Sequence, residues 1–366
     1  MNQRKEVAYY PFLDGFRAIA ISGVLLTHAG LLTLPDSPLT VLLYPIFKIG
    51  HLGVDMFFVI SGFLITGVLI EDWNEEIRVK RFYIRRFFKI VPQYLSLLVA
   101  GFLLINVFRQ QCTTQIVMPY QAITHIFFLQ NYTGMIPMFA HTWSICIEEH
   151  FYWFYPLLIY LVFLKEKNDR RRRFIMIGIA VFLIGSTMIF RQMILREIFF
   201  PSFFFVPDLF QTTLFRMDAL WFGCLLKFLE PYYAKDQTSH WRFLSAMCFI
   251  LGLSIYVYFA SMGFLNHWDP YLMSFLAPGF LFLAAYKGFV PLRMFTEHKS
   301  AQWIGRNSYG IYLWHYPILP LFKSLNSSCN SYLVFFLYIS VAILLGAFTT
   351  VTIEKYSLAF RKKIAP

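Results

Sequence analysis

Residues 13–30 read LDGFRAIAISGVLLTHAG, and apart from Asp14, Arg17 and His28 every side chain in the stretch is apolar or small. A helix needs about 20 such residues to cross the hydrocarbon layer of a bilayer, so the sequence predicts a membrane span at 12–34. The run is too long for the apolar region of a signal peptide, contains Arg17 and is not followed by a small-residue cleavage site, so it is expected to be retained. An ionisable side chain at membrane depth costs roughly 2.5–3.5 kcal/mol even on the lenient insertion scale. The span therefore poses the question of what Arg17 and His28 do there.

The rest of the chain has the same character. Its 366 residues are 58% hydrophobic and 20% aromatic with only 14% charged, and mean hydropathy is +0.56. Those values exclude an ordinary soluble domain and point to an all-α polytopic membrane protein. The formal charge of +12 does not indicate a nucleic-acid partner, because that would need a clustered basic face on a soluble fold. Here the Lys and Arg residues fall in short breaks between apolar runs.

About ten candidate spans follow from the 20-residue requirement, at 12–34, 50–71, 91–109, 143–164, 174–195, 211–229, 243–262, 272–286, 304–325 and 333–354. One alternating set of breaks holds most of the cations: Arg4 and Lys5, Arg78 to Lys89, Lys165 to Arg173, Lys235 and Arg242, Lys287, Arg293 and Lys299, and Lys355 with Arg361 to Lys363. The opposite set holds little beyond Lys48 and Arg196. By the positive-inside rule the bundle has both termini in the cytoplasm, with anionic membrane lipids against the inner basic breaks. The outer loop at 110–142 is aromatic and nearly uncharged, and is expected at the outer interface. Cys112, Cys146, Cys224, Cys248 and Cys329 are scattered without CxxC spacing, so they read as free thiols, and no metal site is expected. No repeat or linker divides the chain, which reads as one integral membrane domain over 1–366 without an appended soluble domain.

Eleven residues separate Arg17 from His28, about three helical turns with some 20° left over, so both project from one face, roughly 16 Å apart along the axis. Asp14 shares that face and is positioned to pair with Arg17. Counting depth from the assigned orientation, Asp55 in GHLGVDMFFVISGFLIT, Glu148 and Glu149 in HTWSICIEEHFYWFYP, and Arg216 and Asp218 in FQTTLFRMDALWFG fall in the same outer layer as His28. Such a coincidence implies a polar cavity, since those groups would otherwise face lipid. Within it, Arg216 and Asp218 are the members expected to serve structure. On the opposite side RFYIRRFFKIVP sets Arg86 and Lys89 one turn apart near the start of a helix, suited to holding phosphates. His315 sits midway along the ninth span in GRNSYGIYLWHYPI.

Taken in order, DGFRAIA with His28, GVDMFFVISGFLI, RFYIRRFFKIVP, HTWSICIEEHFY, RMDALWFG and SYGIYLWHYPI resemble the acyltransferase-3 family of integral membrane O-acyltransferases, over about residues 9–356. The resemblance implies a multi-pass protein of the bacterial cytoplasmic (inner) membrane. It further implies a cytosolic acyl-CoA donor, most commonly acetyl-CoA, with no permanently bound cofactor, and a carbohydrate or glycolipid acceptor across the membrane. The family's Arg and His signature falls on Arg17 and His28. Its paired-arginine motif falls on Arg86 and Lys89, where lysine keeps a cation but loses the bidentate fork. Trp143 and Ser144 match the family, Ile145 stands for a usual Leu, Glu148 matches the first glutamate, and His150 replaces a usual Gln. Ala18 stands where Gly is common.

The mechanism expected from these residues has Arg17, Arg86 and Lys89 holding the acyl-CoA and His28 acting as general base, with Glu148 or Asp55 orienting the imidazole. An acyl-histidine intermediate is the variant of that scheme. Asp14, Trp143, Ser144, Glu149, Arg216, Asp218, Tyr312 and His315 are the candidate structural or acceptor-side residues. The competing reading is a transporter of an envelope glycan or small molecule that uses His28 and Glu148 as a proton relay. Against it, no inverted repeat is visible in the sequence.

Overall fold

The computed structural model describes residues 10–33, 38–71, 78–107, 118–195, 211–234, 239–261, 275–326 and 330–364. Arg4, Lys5, Cys112, Arg196, Lys235 and Cys329 lie outside the described residues, as do the side chains of Arg78 and Arg242. All the regular structure among the described residues is helical. Five stretches there are long and apolar enough to cross a membrane: Pro11–Leu32, Thr40–Ile70, Val79–Ile105, Asp169–Met193 and Ser331–Ile364.

The first stretch contains α1 (Pro11–Ala29), the helix predicted from the opening sequence. The second runs from α2 (Pro38–Ile49) through a 3₁₀ turn into α3 (Gly53–Glu71). The third is α4 (Arg78–Val107), whose boundary differs from the predicted span at 91–109. The basic break is itself helical, because Arg and Lys are good helix formers. Pro92 does not end the helix either. The missing N–H at Pro92 would free the Phe88 carbonyl, and the Ser357 hydroxyl donates to that carbonyl at 2.6 Å.

Two short helices, α5 (Pro119–Ile126) and α6 (Gln130–Thr133), and a 3₁₀ segment at Pro137–Thr142 occupy the described part of the 110–142 loop. Tyr120, Ile123 and Phe127 face outward while His125, Gln130 and Phe139 are buried. Next come α7 (Trp143–Lys165), α8 (Asp169–Leu195), α9 (Asp218–Tyr233) and α10 (Ser239–Ser261). The expected span at 211–229 thus consists of a 3₁₀ turn followed by a 16-residue helix. After α11 (Leu276–Tyr286), α12 (Val290–Thr296) and α13 (Lys299–Arg306), the chain turns at Asn307 into α14 (Ser308–Asn326). It ends in α15 (Ser331–Thr349), a π-helical segment at Thr350–Glu354, and α16 (Lys355–Ile364).

Glycines let the central helices touch backbone to backbone. A Cβ on Gly62 of α3 would lie 2.0 Å from the Leu220 carbonyl oxygen of α9, and one on Gly223 of α9 would lie 2.2 Å from that of Val59. Small residues at such a crossing replace the hydrophobic drive that lipid does not supply. This contact sets α3 and the N-terminus of α9 side by side, which matters for Asp55 and Arg216. Cys146, Cys224 and Cys248 are free thiols.

Candidate active site

Arg17, Arg86, Lys89 and Arg306 line one pocket together with the carboxylates of Glu148 and Glu354, and its empty volume is about 820 Å³ including the part open to solvent. Four cations face two carboxylates there, so the pocket favours an anion. Arg17 donates to Asp14 at 3.3 Å, the (i, i+3) pairing expected along α1. The Arg86 guanidinium lies over the Tyr152 ring, 4.6 Å from its centroid, which fixes its plane. Ser61 donates to Glu148 Oε1 at 2.9 Å. Glu354 reaches the pocket from the π-helical turn, an element that re-aims side chains and often marks functional sites.

His28 is not among the residues lining that pocket; it lies in a cluster of packed rings. Its ring lies 5.0 Å, centroid to centroid, from those of His315 and Tyr316. His141 completes the group, 5.3 Å from His315 and stacked on Tyr316 at 5.2 Å. His28 Nδ1 lies 3.0 Å from the Val24 carbonyl and 3.3 Å from His315 Nε2. Pro317 explains the position of His141: without a proline N–H, the Leu313 carbonyl lacks its helical donor, and His141 Nε2 sits 3.0 Å from that oxygen. Among the described residues no group of His, Cys, Asp and Glu is placed to hold a metal ion.

Tyr312 links the cationic pocket to the histidine cluster. It lines the cationic pocket, and one turn further along α14 stands His315. The Tyr312 hydroxyl donates to the His141 carbonyl at 2.7 Å. The phenol proton being so used, the Ser144 hydroxyl donates to the Tyr312 oxygen at 2.6 Å.

The acidic residues expected around His28 make their hydrogen bonds and ion pairs with other residues. Asp55 accepts from Arg216 at 2.8 Å, both side chains at most 4% exposed, and the Arg216 guanidinium lies 5.6 Å from the centroid of the Trp143 ring. Asp218 pairs with Arg191 of α8, also fully buried. Arg216 and Asp218 are thus each ion-paired, and each with a partner on another helix. Glu148 lines the Arg17 pocket, and Glu149, next to it in sequence, is buried with Oε1 lacking a hydrogen-bond partner. Neither Asp55 nor Glu148 is the neighbour of His28; His315 is.

An acyltransferase-domain model, that of the acyltransferase-3 family, matches residues 10–352. The chain belongs to the acyltransferase-3 family. Peptidoglycan O-acetyltransferase OatA of Listeria monocytogenes is 28% identical over 339 residues, covering 86% of this chain and 50% of the relative. O-acetyltransferase OatA of Staphylococcus aureus strain NCTC 8325 is 27% identical, covering 86% of this chain and 51% of the relative. The chain thus spans about half the length of these curated relatives. No solved structure is significantly similar to it.

For this acyltransferase-3 protein, the structure brings together Arg17, Arg86, Lys89 and Glu148, and separately His28 and His315. Reading motifs from the sequence missed Ser61, Tyr152, Arg306, Glu354 and His141. Glu354 carried a usable signal, an acid at the end of an otherwise apolar span, and the two prolines of HYPILP hinted at a free carbonyl needing a donor. Ser61 and Tyr152 carried none, because a hydroxyl on an apolar helix is ordinary.

Proposed function

We propose that the chain is a membrane O-acetyltransferase that moves an acetyl group from cytosolic acetyl-CoA, or a closely related acyl-CoA, to a hydroxyl of an extracytoplasmic carbohydrate. The observation that carries this reading is the pairing of a cationic pocket with a histidine cluster, linked through Tyr312, with Arg17 in the one and His28 in the other on the same helix α1. Arg17, Arg86 and Lys89 bind the donor phosphates by charge-assisted hydrogen bonds, and Glu148 holds the polar wall of that pocket. His28 takes the proton of the acceptor hydroxyl as its oxygen attacks the thioester carbonyl. The new C–O bond forms, the C–S bond breaks, and the departing thiolate receives the proton from His28. General-base assistance of this kind is worth roughly 10²–10⁴ in rate.

The reading includes a bundle of about ten spans in the bacterial cytoplasmic membrane with both termini inside, which puts the donor pocket on the cytosolic face. The Listeria relative, a peptidoglycan O-acetyltransferase by name, favours a cell-wall glycan as acceptor. Purified protein incubated with radiolabelled acetyl-CoA and peptidoglycan fragments tests it. Transfer of label that is lost in His28→Ala, with acetyl-CoA binding retained, is the expected result. Turnover retained by His28→Ala refutes the assignment of the base.

A further inference from the structure

Two main-chain carbonyls determine which nitrogens of the histidine pair carry protons. A carbonyl oxygen only accepts, so a ring nitrogen bonded to one must be protonated. His315 Nδ1 lies 2.6 Å from the Tyr312 carbonyl, one turn back on α14, and therefore carries its hydrogen. In the neutral ring His315 Nε2 is then a bare lone pair. His28 Nδ1 lies 3.0 Å from the Val24 carbonyl and is protonated by the same reasoning. That proton also faces His315 Nε2 at 3.3 Å, so a single N–H is shared between the Val24 oxygen and the His315 lone pair. His28 Nε2 remains unprotonated, the state a general base requires.

We infer that His315 is the positioning residue of His28, through a His28 Nδ1–H to His315 Nε2 hydrogen bond anchored on the Tyr312 carbonyl. This inference rests on the reading of His28 as base. In a serine-hydrolase triad a buried carboxylate holds the base in its tautomer and stabilises the imidazolium that forms. Here a neutral imidazole does both. When His28 collects the hydroxyl proton, its charge spreads to the Nδ1–H, and the lone pair of His315 receives that hydrogen bond. His315 is fully buried, so no water replaces it. Tyr338 further clamps the His315 segment, its hydroxyl donating to the His315 carbonyl at 3.2 Å. His315 also stands one turn beyond Tyr312, the residue shared with the donor pocket, so donor and base are referenced to a single helix.

Two substitutions separate the hydrogen bond from packing. His315→Phe keeps a ring of similar size and removes the acceptor. His315→Gln puts an amide oxygen where Nε2 stands. The loss in His315→Phe is expected near 10²-fold in kcat, below the 10⁴ of a triad whose tautomer is lost, because the Val24 carbonyl still holds the His28 proton. KM for acetyl-CoA is unchanged, since His315 does not line the cationic pocket. His315→Gln recovers most of the rate. Carbethoxylation of His28 by diethyl pyrocarbonate, followed by peptide mass spectrometry, reports the reactivity of Nε2 without any acceptor sugar. It should slow in His315→Phe and recover in His315→Gln. Wild-type kcat and wild-type carbethoxylation in His315→Phe overturn the inference, and so does a His315→Gln variant as defective as His315→Phe. His28→Ala run in parallel keeps the outcomes apart: an inactive His28→Ala beside an active His315→Phe sinks only the positioning role, whereas an active His28→Ala sinks the base itself.

Discussion

Asp55→Ala is expected to destabilise the protein strongly while leaving the chemistry of His28 intact. Asp55 accepts from Arg216 at 2.8 Å with exposures of 0% and 4%, so neither charge has water to fall back on. Removing Asp55 takes the hydrogen-bonded carboxylate away from a buried guanidinium, a loss that for a buried ion pair costs about 3–5 kcal/mol, against a total stability of about 5–15 kcal/mol for a typical fold. Replacing both members by apolar residues of similar volume is often neutral. Asp55→Leu combined with Arg216→Met should therefore unfold close to the wild type, and the single change much earlier, in thermal melts of detergent-purified protein. The same samples assayed for acetyl transfer decide the role of Asp55. A double variant as unstable as the single one refutes the pairing argument. A stable double variant that binds donor but does not turn over refutes the assignment of Asp55 to structure rather than to His28.

Gly62→Leu should abolish folding, because even the first carbon of the new side chain would lie 2.0 Å from the Leu220 carbonyl oxygen and force α3 and α9 apart; recovery of a monodisperse, thermally stable protein would refute that close crossing. In the cationic pocket, on the proposal that it holds the acyl donor, Lys89→Ala should raise KM for acetyl-CoA by roughly tenfold or more, the worth of a hydrogen bond to a charged group, with little change in kcat. Lys89→Arg should restore binding, since the position needs a cation; a kcat defect at unchanged KM in Lys89→Ala would remove Lys89 from the donor site.

Much of the site was legible in single helices. The spacing of Asp14, Arg17 and His28 follows from helical periodicity, and α1 forms with the Arg17 pairing that periodicity implies. Arg86 and Lys89 likewise share a pocket because they are one turn apart on α4. Depth across helices was not legible in the same way. Assigning Glu148 to the layer of His28 assumed that α1 and α7 enter the membrane at matched levels. The tilt and offset of a helix are set by packing against its neighbours, and α7 is preceded by a packed 3₁₀ segment at Pro137–Thr142. In the folded chain Glu148 lines one pocket with Arg17 and Arg86.

Composition and periodicity by themselves determined that the chain is a helical membrane protein and that Arg17 and His28 share a face, since both properties depend only on local backbone geometry and on the cost of burying polar groups in lipid. Which groups meet was decided by the tertiary structure alone. A charge inside a bundle must find a partner, and several partners of equal chemistry were available in the sequence. The backbone contacts at Gly62 and Gly223 select Arg216 for Asp55. The carbonyl below Pro317 selects the place of His141, and the turn of α14 between Tyr312 and His315 gives His28 an imidazole in place of the carboxylate that residue types alone suggested.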